Sequence, residues 1–232
     1  MGSREWGMGF LFSPFPFFCY NLKMIRHILF DVDNTLYSAR YGLEEAVTQR
    51  VREFVLLWMG PPQDENERIW REGYRRYGTT VEWMMQERGF TAFDEYQAFI
   101  HPEGEVDALL PDPELRSFLE SLPCPCSVLT NAPRFHADRV IEKLKLEGVF
   151  QNIFDLVGNG REGKPKASVF RRVLDILELT PNEVLFVDDV PRYVEGYLAL
   201  GGRGLLLDEM GTHNDYPNER IHSLWEIYRF LD

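Results

Sequence analysis

Apolar residues recur along the chain in two registers. Between residues 42 and 101 they fall at three- and four-residue spacings, and Leu43, Ala46, Val47, Val51, Phe54, Val55 and Trp58 mark an amphipathic helix stopped by Gly60-Pro61-Pro62. Further helical segments are predicted at 64–77, 80–88 and 91–101, with Gly78 and Gly89 as breaks. The stretch reads as a helical bundle. From residue 112 onward helical periods alternate with short apolar runs: helices at 112–121, 133–145, 167–178 and 191–200, strands at 125–130, 153–157, 183–188 and 203–207. Earlier, Ile28-Leu29-Phe30 shows no polar alternation and reads as a strand buried on both faces. This order predicts an α/β fold, a doubly wound parallel sheet covered on both faces, with the bundle inserted after the first strand. After a polar loop at 213–218, the pattern Ile221, Leu224, Ile227, Phe230 predicts a last helix over 220–231.

Polar residues with distinct chemistry follow four of these strands. The first run ends in Asp31-Val32-Asp33-Asn34-Thr35-Leu36, two carboxylates one residue apart and then turn formers. They emerge at the carboxyl end of a strand, where open α/β sheets place their sites. Two like charges side by side need a cation, and a hard Mg²⁺ with oxygen ligands supplies it. In that setting Asp31 is a candidate nucleophile and Asp33 a candidate proton donor and acceptor. Alone, the pair also reads as an ordinary turn after a strand. The second strand delivers Thr130 and Asn131 just ahead of a helix starting near Pro133, a terminus that suits an anion. Lys164, in Gly163-Lys164-Pro165, precedes another helix and can act as a point charge on phosphate oxygens. The fourth, Val184-Leu185-Phe186-Val187, ends in Asp188-Asp189, which could complete a metal site.

In this order and spacing the four stretches resemble the D-x-D-x-T, S/T, K-P and D-D signatures of the haloacid dehalogenase superfamily, over roughly residues 25 to 210. The resemblance implies a Rossmann-like core, an aspartyl-phosphate intermediate and Mg²⁺ dependence, with Asp31, Asp33, Asp188 and Asp189 at the metal. Asp31, Asp33 and Lys164 would be catalytic, and Thr130, Asn131 and Lys164 would bind phosphate. One departure stands out. Relatives commonly carry an Asn a few positions after the paired acids, whereas here the run is Val190-Pro191-Arg192-Tyr193. That leaves open what orients Lys164.

The bundle resembles the helical cap that many members place after the first motif. Expected boundaries are a core of 24–40 and 108–232, a cap of 41–107, and hinges near 37–40 and 103–111. The cap aromatics read mainly as bundle core. Tyr37 and Tyr41, close to the first motif, are candidate substrate contacts. The Asn34-Thr35-Leu36-Tyr37 tail is similar to that of pyrimidine 5'-nucleotidases, which implies phosphatase action on a nucleoside 5'-monophosphate. Sugar-phosphate phosphatases and phosphomutases of the same superfamily are alternatives, as is a non-catalytic binding module, although no motif residue is lost. Asp33 argues against dehalogenation, since expelled halide needs no proton and dehalogenating relatives lack an acid there.

Composition narrows the partners. Across 232 residues the formal net charge is −12, which disfavours nucleic acid, whose backbone is bound by clustered Lys and Arg. The expected partner is a small phosphorylated metabolite. Three cysteines suit a reducing cytoplasm rather than a disulfide scaffold, and the five histidines fall in no zinc-ligand spacing. Residues 1–23 are aromatic, with Pro14 and Pro16 inside the apolar stretch, and read as a non-catalytic extension rather than a secretory signal or membrane span.

Overall fold

The structure, a computed structural model, describes residues 24–231, so the expectation for residues 1–23 lies outside the described residues. Six strands form one parallel sheet in the order β3-β2-β1-β4-β5-β6: β1 (His27–Phe30), β2 (Cys126–Leu129), β3 (Ile153–Phe154), β4 (Val184–Asp188), β5 (Arg203–Leu207) and β6 (Arg220–Ile221). The strand period of two splits the side chains between two cores. Ile28, Phe30, Val128, Leu185 and Val187 pack against α5 (Pro113–Glu120) and α6 (Arg134–Lys143). Leu29, Leu129, Val184 and Phe186 pack on the other face against α7 (Ala167–Leu177) and α8 (Pro191–Leu198). Both faces are therefore covered, as continuous apolar runs require.

Four helices, α1 (Leu43–Met59), α2 (Gln63–Tyr77), α3 (Thr80–Arg88) and α4 (Phe93–Ile100), lie between β1 and α5. They bury their own cluster around Trp70, Trp83, Met84, Phe90 and Tyr96, to which Leu156 of the core side adds. Gly73 lets α2 meet α3 closely, because a Cβ there would fall 2.4 Å from the Trp83 ring. Among the described residues no helix is long and apolar enough to cross a membrane.

The C-terminal expectation needs correcting. Residues 220–231 form β6 and then a 3-10 helix, Leu224–Phe230, rather than an α-helix. Leu224, Ile227 and Phe230 repeat every third residue, which is the period of a 3-10 turn. Arg220 instead pairs with Asp208 at 3.0 Å, and the His222 ring lies 2.7 Å from the Asp208 carbonyl, holding the strand at the sheet edge. The strand expected at 153–157 stops at Phe154, because the Asp155 carboxylate accepts the N–H groups of Val157 and Gly158 and turns the chain.

Candidate active site

The acids and the lysine meet at the carboxyl ends of β1, β2 and β4. The β1 ladder runs one residue past its strand, with the Asp31 N–H donating to the Val187 carbonyl at 2.9 Å, so the Asp31 side chain leaves the sheet in a fixed direction. The chain then turns through Asn34, whose φ of 54° lies in the left-handed region that Asn tolerates better than most residues. Thr130 follows β2 and its hydroxyl accepts the Ala132 N–H at 2.9 Å.

Lys164 is placed by its backbone. The Asn131 amide clamps it, its oxygen accepting the Lys164 N–H at 2.7 Å and its nitrogen donating to the Lys164 carbonyl at 3.1 Å. Gly163 must lack a side chain, because a Cβ would sit 2.4 Å from Thr79 and 2.9 Å from the Asn131 oxygen. The ammonium then reaches Asp31 Oδ1 at 2.7 Å and Asp188 Oδ2 at 2.6 Å, with Tyr193 and Phe186 rings 5.0 and 5.6 Å away. An aromatic ring and a clamped backbone thus stand where the missing family Asn left the orientation of Lys164 open. Arg192 faces elsewhere, donating to the Gly78 carbonyl at 3.2 Å and lying over Tyr74. Lys166 pairs with Glu82 of α3 and does not line the site.

The electrostatics point to a cation. Burial drives Asp31 well above the ordinary carboxylate range against the pull of Lys164, and burial raises Asp188 in the same way. Asp189 is pushed up to about 9 by burial and then by repulsion from Asp188, Asp31 and Glu44. Glu44 of α1, which accepts from Asn34, is itself raised, first by burial and then by Asp33. Around Lys164, acidic oxygens outnumber the one ammonium. Carboxylate oxygens of Asp31, Asp188 and Asp189 lie within 4.8 Å of one another, a donor set that suits a hard divalent ion. The Asp33 carboxylate lies outside this trio.

Asp33 belongs to a different network. Its Oδ1 accepts the Tyr37 hydroxyl at 2.5 Å and faces His136 Nε2 at 2.8 Å. His136 Nδ1 faces Glu105 at 2.7 Å, and the second Glu105 oxygen faces His101 Nδ1 at 2.9 Å. Burial alone would raise Asp33, but the charge and hydrogen bond of His136, with the Tyr37 hydroxyl, hold it below the usual range. His136 is pushed up to about 10, burial being outweighed by Asp33 and Glu105. Burial is likewise overcome at Glu105, which falls to about 2 beside His101 and His136. Nothing in the linear spacing of His101, Glu105 and His136 signals this convergence. The ligand atoms of His101, Glu105 and His136 lie within 4.8 Å of one another, and the contacts of 2.7 and 2.9 Å are hydrogen-bond lengths, shorter than the ~3.3 Å between ligand atoms of a tetrahedral zinc.

Asp31, Asp33, Thr130, Asn131, Lys164 and Asp189 open onto one chamber of about 180 Å³. Its far walls come from the helical insert, with Val47, Val51, Tyr74, Val81, Tyr96, Gln97 and Ile100. Tyr37 and Tyr41, expected to touch substrate, do not line it. The Tyr37 ring is buried in the core with its hydroxyl spent on Asp33, and both tyrosines line a separate groove beside Glu209 and Trp225. The turn after Asp33 carries this segment toward the loops that follow β5 and β6, where Ser38 and the Ala39 N–H donate to Glu209.

A model of the haloacid dehalogenase-like hydrolases matches residues 25–199. Phosphate metabolism protein 8 of Saccharomyces cerevisiae is 28% identical over 132 residues, which cover 53% of this chain and 41% of that protein, so the match spans under half of the relative. Among solved structures, the HAD-hydrolase YfnB of Bacillus subtilis, bound to magnesium, matches with TM-score 0.57 and 19% identity over 90% of this chain and 99% of its own. L-2-haloacid dehalogenase of Xanthobacter autotrophicus matches with TM-score 0.59 and 16% identity over 89% and 98%. At these identities the structural likeness is one of fold.

Proposed function

Given that the chain belongs to the haloacid dehalogenase-like hydrolases, we propose that it is a Mg²⁺-dependent phosphatase of small phosphomonoesters. The observation that carries this reading is Asp33, whose carboxylate is pinned through one oxygen beside the buried Asp31–Lys164 pair. Among the described residues its other oxygen has no hydrogen-bond partner, and the residue lines the chamber. A phosphate ester leaves as an alkoxide and needs a proton. Asp33, held ionised in the free site by His136 and Tyr37, can deliver one once the negative charge of the bound phosphate has raised its proton affinity and it has taken a proton up. Some structural relatives are dehalogenases, but a departing halide needs no acid, so a pinned Asp33 would have no task in that first step.

In this reading an Asp31 oxygen attacks phosphorus, the bond to the leaving oxygen breaks, and Asp33 hands that oxygen its proton. Asp33 then takes a proton from the water that attacks the aspartyl phosphate, releasing phosphate and restoring Asp31. Lys164 and the Thr130 hydroxyl, with the backbone at Asn131, hold the non-bridging oxygens. Asp31, Asp188 and Asp189 would hold Mg²⁺, which when bound offsets the negative charge of the phosphoryl group. The helical insert serves as a cap that limits water and reads the leaving group.

The best candidate substrate is a pyrimidine nucleoside 5'-monophosphate, with a sugar phosphate as the alternative. Since Tyr37 and Tyr41 lie off the chamber, a stacking role passes to Tyr74, which lines it. Free thiols at Cys124 and Cys126 support a reducing cytoplasmic location. Phosphate release from p-nitrophenyl phosphate, with Mg²⁺ and after chelation, tests the class. Turnover only with metal supports it, and halide release from a 2-haloacid without phosphatase activity would replace it.

A further inference from the structure

His136 is sealed from solvent with both ring nitrogens facing carboxylates, Nε2 toward Asp33 at 2.8 Å and Nδ1 toward Glu105 at 2.7 Å. A neutral imidazole donates from one nitrogen only, so a ring serving two carboxylates carries N–H on both. Glu105 is gripped from behind by His101 at 2.9 Å and by Arg50 and Arg139, each at 3.6 Å. Neither His136 nor Glu105 lines the chamber, so whatever they do for the reaction passes through Asp33.

We propose that His136, backed by Glu105, is the positioning residue of Asp33, fixing one carboxylate oxygen so that the other is presented to the leaving group. This inference rests on the acid–base reading of Asp33. The torsion that turns an Asp carboxylate is broad and roughly two-fold, so a carboxylate without anchors would sample many orientations. Here two donors, His136 and the Tyr37 hydroxyl, converge on the same oxygen and define the plane. Glu105 keeps the imidazole from swinging away, and it sits in the segment that returns from the insert to the core. The seat of the acid is therefore built partly by that return segment.

The test compares kcat and KM for p-nitrophenyl phosphate and an alkyl phosphate, at saturating Mg²⁺, in the full-length protein and its His136→Leu, His136→Gln, Tyr37→Phe and Asp33→Asn variants. Loss of positioning should lower kcat on the alkyl phosphate by ~10²-fold, the scale of a misplaced catalytic group. The loss on p-nitrophenyl phosphate should be several times smaller, because its leaving group needs little protonation. KM should stay within about twofold. His136→Gln should regain much of the loss, since its amide N–H can reach the same oxygen, and Tyr37→Phe should show a weaker version of the split.

Equal losses on both substrates in His136→Leu, or no rescue by Gln, would overturn the proposal while Asp33→Asn still shows the split. If His136→Leu does not fold, Glu105→Gln decides, and wild-type substrate dependence in it would overturn the proposal. If Asp33→Asn itself shows no split, the acid–base reading fails and the positioning role falls with it.

Discussion

The Lys164 ammonium lies 2.7 Å from Asp31 Oδ1, with both side chains almost completely shielded from water. So placed, the lysine pulls against the burial that raises the Asp31 carboxyl well above its ordinary range, and so favours the ionised form that attack on phosphorus needs. It also touches Asp188, so one charge serves the candidate nucleophile and the candidate metal ligand together.

Replacing Lys164 by Ala should lower kcat and raise KM together, because the same charge acts on bound phosphate and on the transition state. A combined kcat/KM loss of about 10³-fold or more is expected, the scale of losing one preorganised electrostatic donor. Lys166→Ala, which breaks only the link to Glu82, should keep most turnover. Steady-state kinetics of both variants check the assignment, and the reverse ranking would move the phosphate contact to Lys166.

Asp31→Asn should abolish turnover and leave the thermal midpoint unchanged or higher. The amide is isosteric, and it removes one charge from a crowded acidic cluster. A melting curve alongside the phosphate assay separates lost chemistry from lost fold. Residual activity above a few per cent of wild type would place the nucleophile elsewhere.

Mg²⁺ should raise the thermal midpoint in a concentration-dependent way, since an ion that binds only the folded chain stabilises it by mass action. Asp189→Asn and Asp188→Asn should each weaken that response. The metal-free Asp189→Asn protein should itself melt no lower than wild type, because Asp189 is crowded by acids. A Mg²⁺ response unchanged in both variants would remove these residues from the metal site.

His27 supplies a pH dependence away from the site. It is buried on β1 with Nε2 2.9 Å from the Ser127 hydroxyl, and burial lowers it to about 4. The unfolded chain then takes up a proton at a higher pH than the fold does, near the ordinary histidine value of ~6.5. Its contribution is full above that value and is lost as pH falls from about 6.5 to about 4. His27→Gln should flatten the fall in thermal midpoint across that window, and an unaltered slope would show that other groups set it.

Much of this is legible in the chain itself. The helices of the insert follow three- and four-residue apolar spacings, and α3 begins and ends where Thr80 and Arg88 predict, between the Thr79 cap and Gly89. Asp31, Lys164 and Asp188 carry their meaning in local motifs, because each stands at the end of a strand whose direction is fixed by its apolar run. Other features have no local signature. His136 and Glu105 are ordinary helix and loop residues in sequence, and only the packing of α6 beside the turn after β1 brings them to Asp33. Tyr37 misleads for the same reason, since nearness in sequence to the first motif does not say which side of the strand ends the chain takes.

The central claim, a phosphoryl group carried by Asp31, is tested most directly by trapping it. The protein is mixed with Mg²⁺ and p-nitrophenyl phosphate, quenched during turnover, reduced with borohydride and mapped by peptide mass spectrometry. An acyl phosphate is reduced to the alcohol, so the account predicts homoserine at position 31, absent without substrate and absent in Asp31→Asn. Turnover with unmodified Asp31, or with the label on another residue, would contradict it.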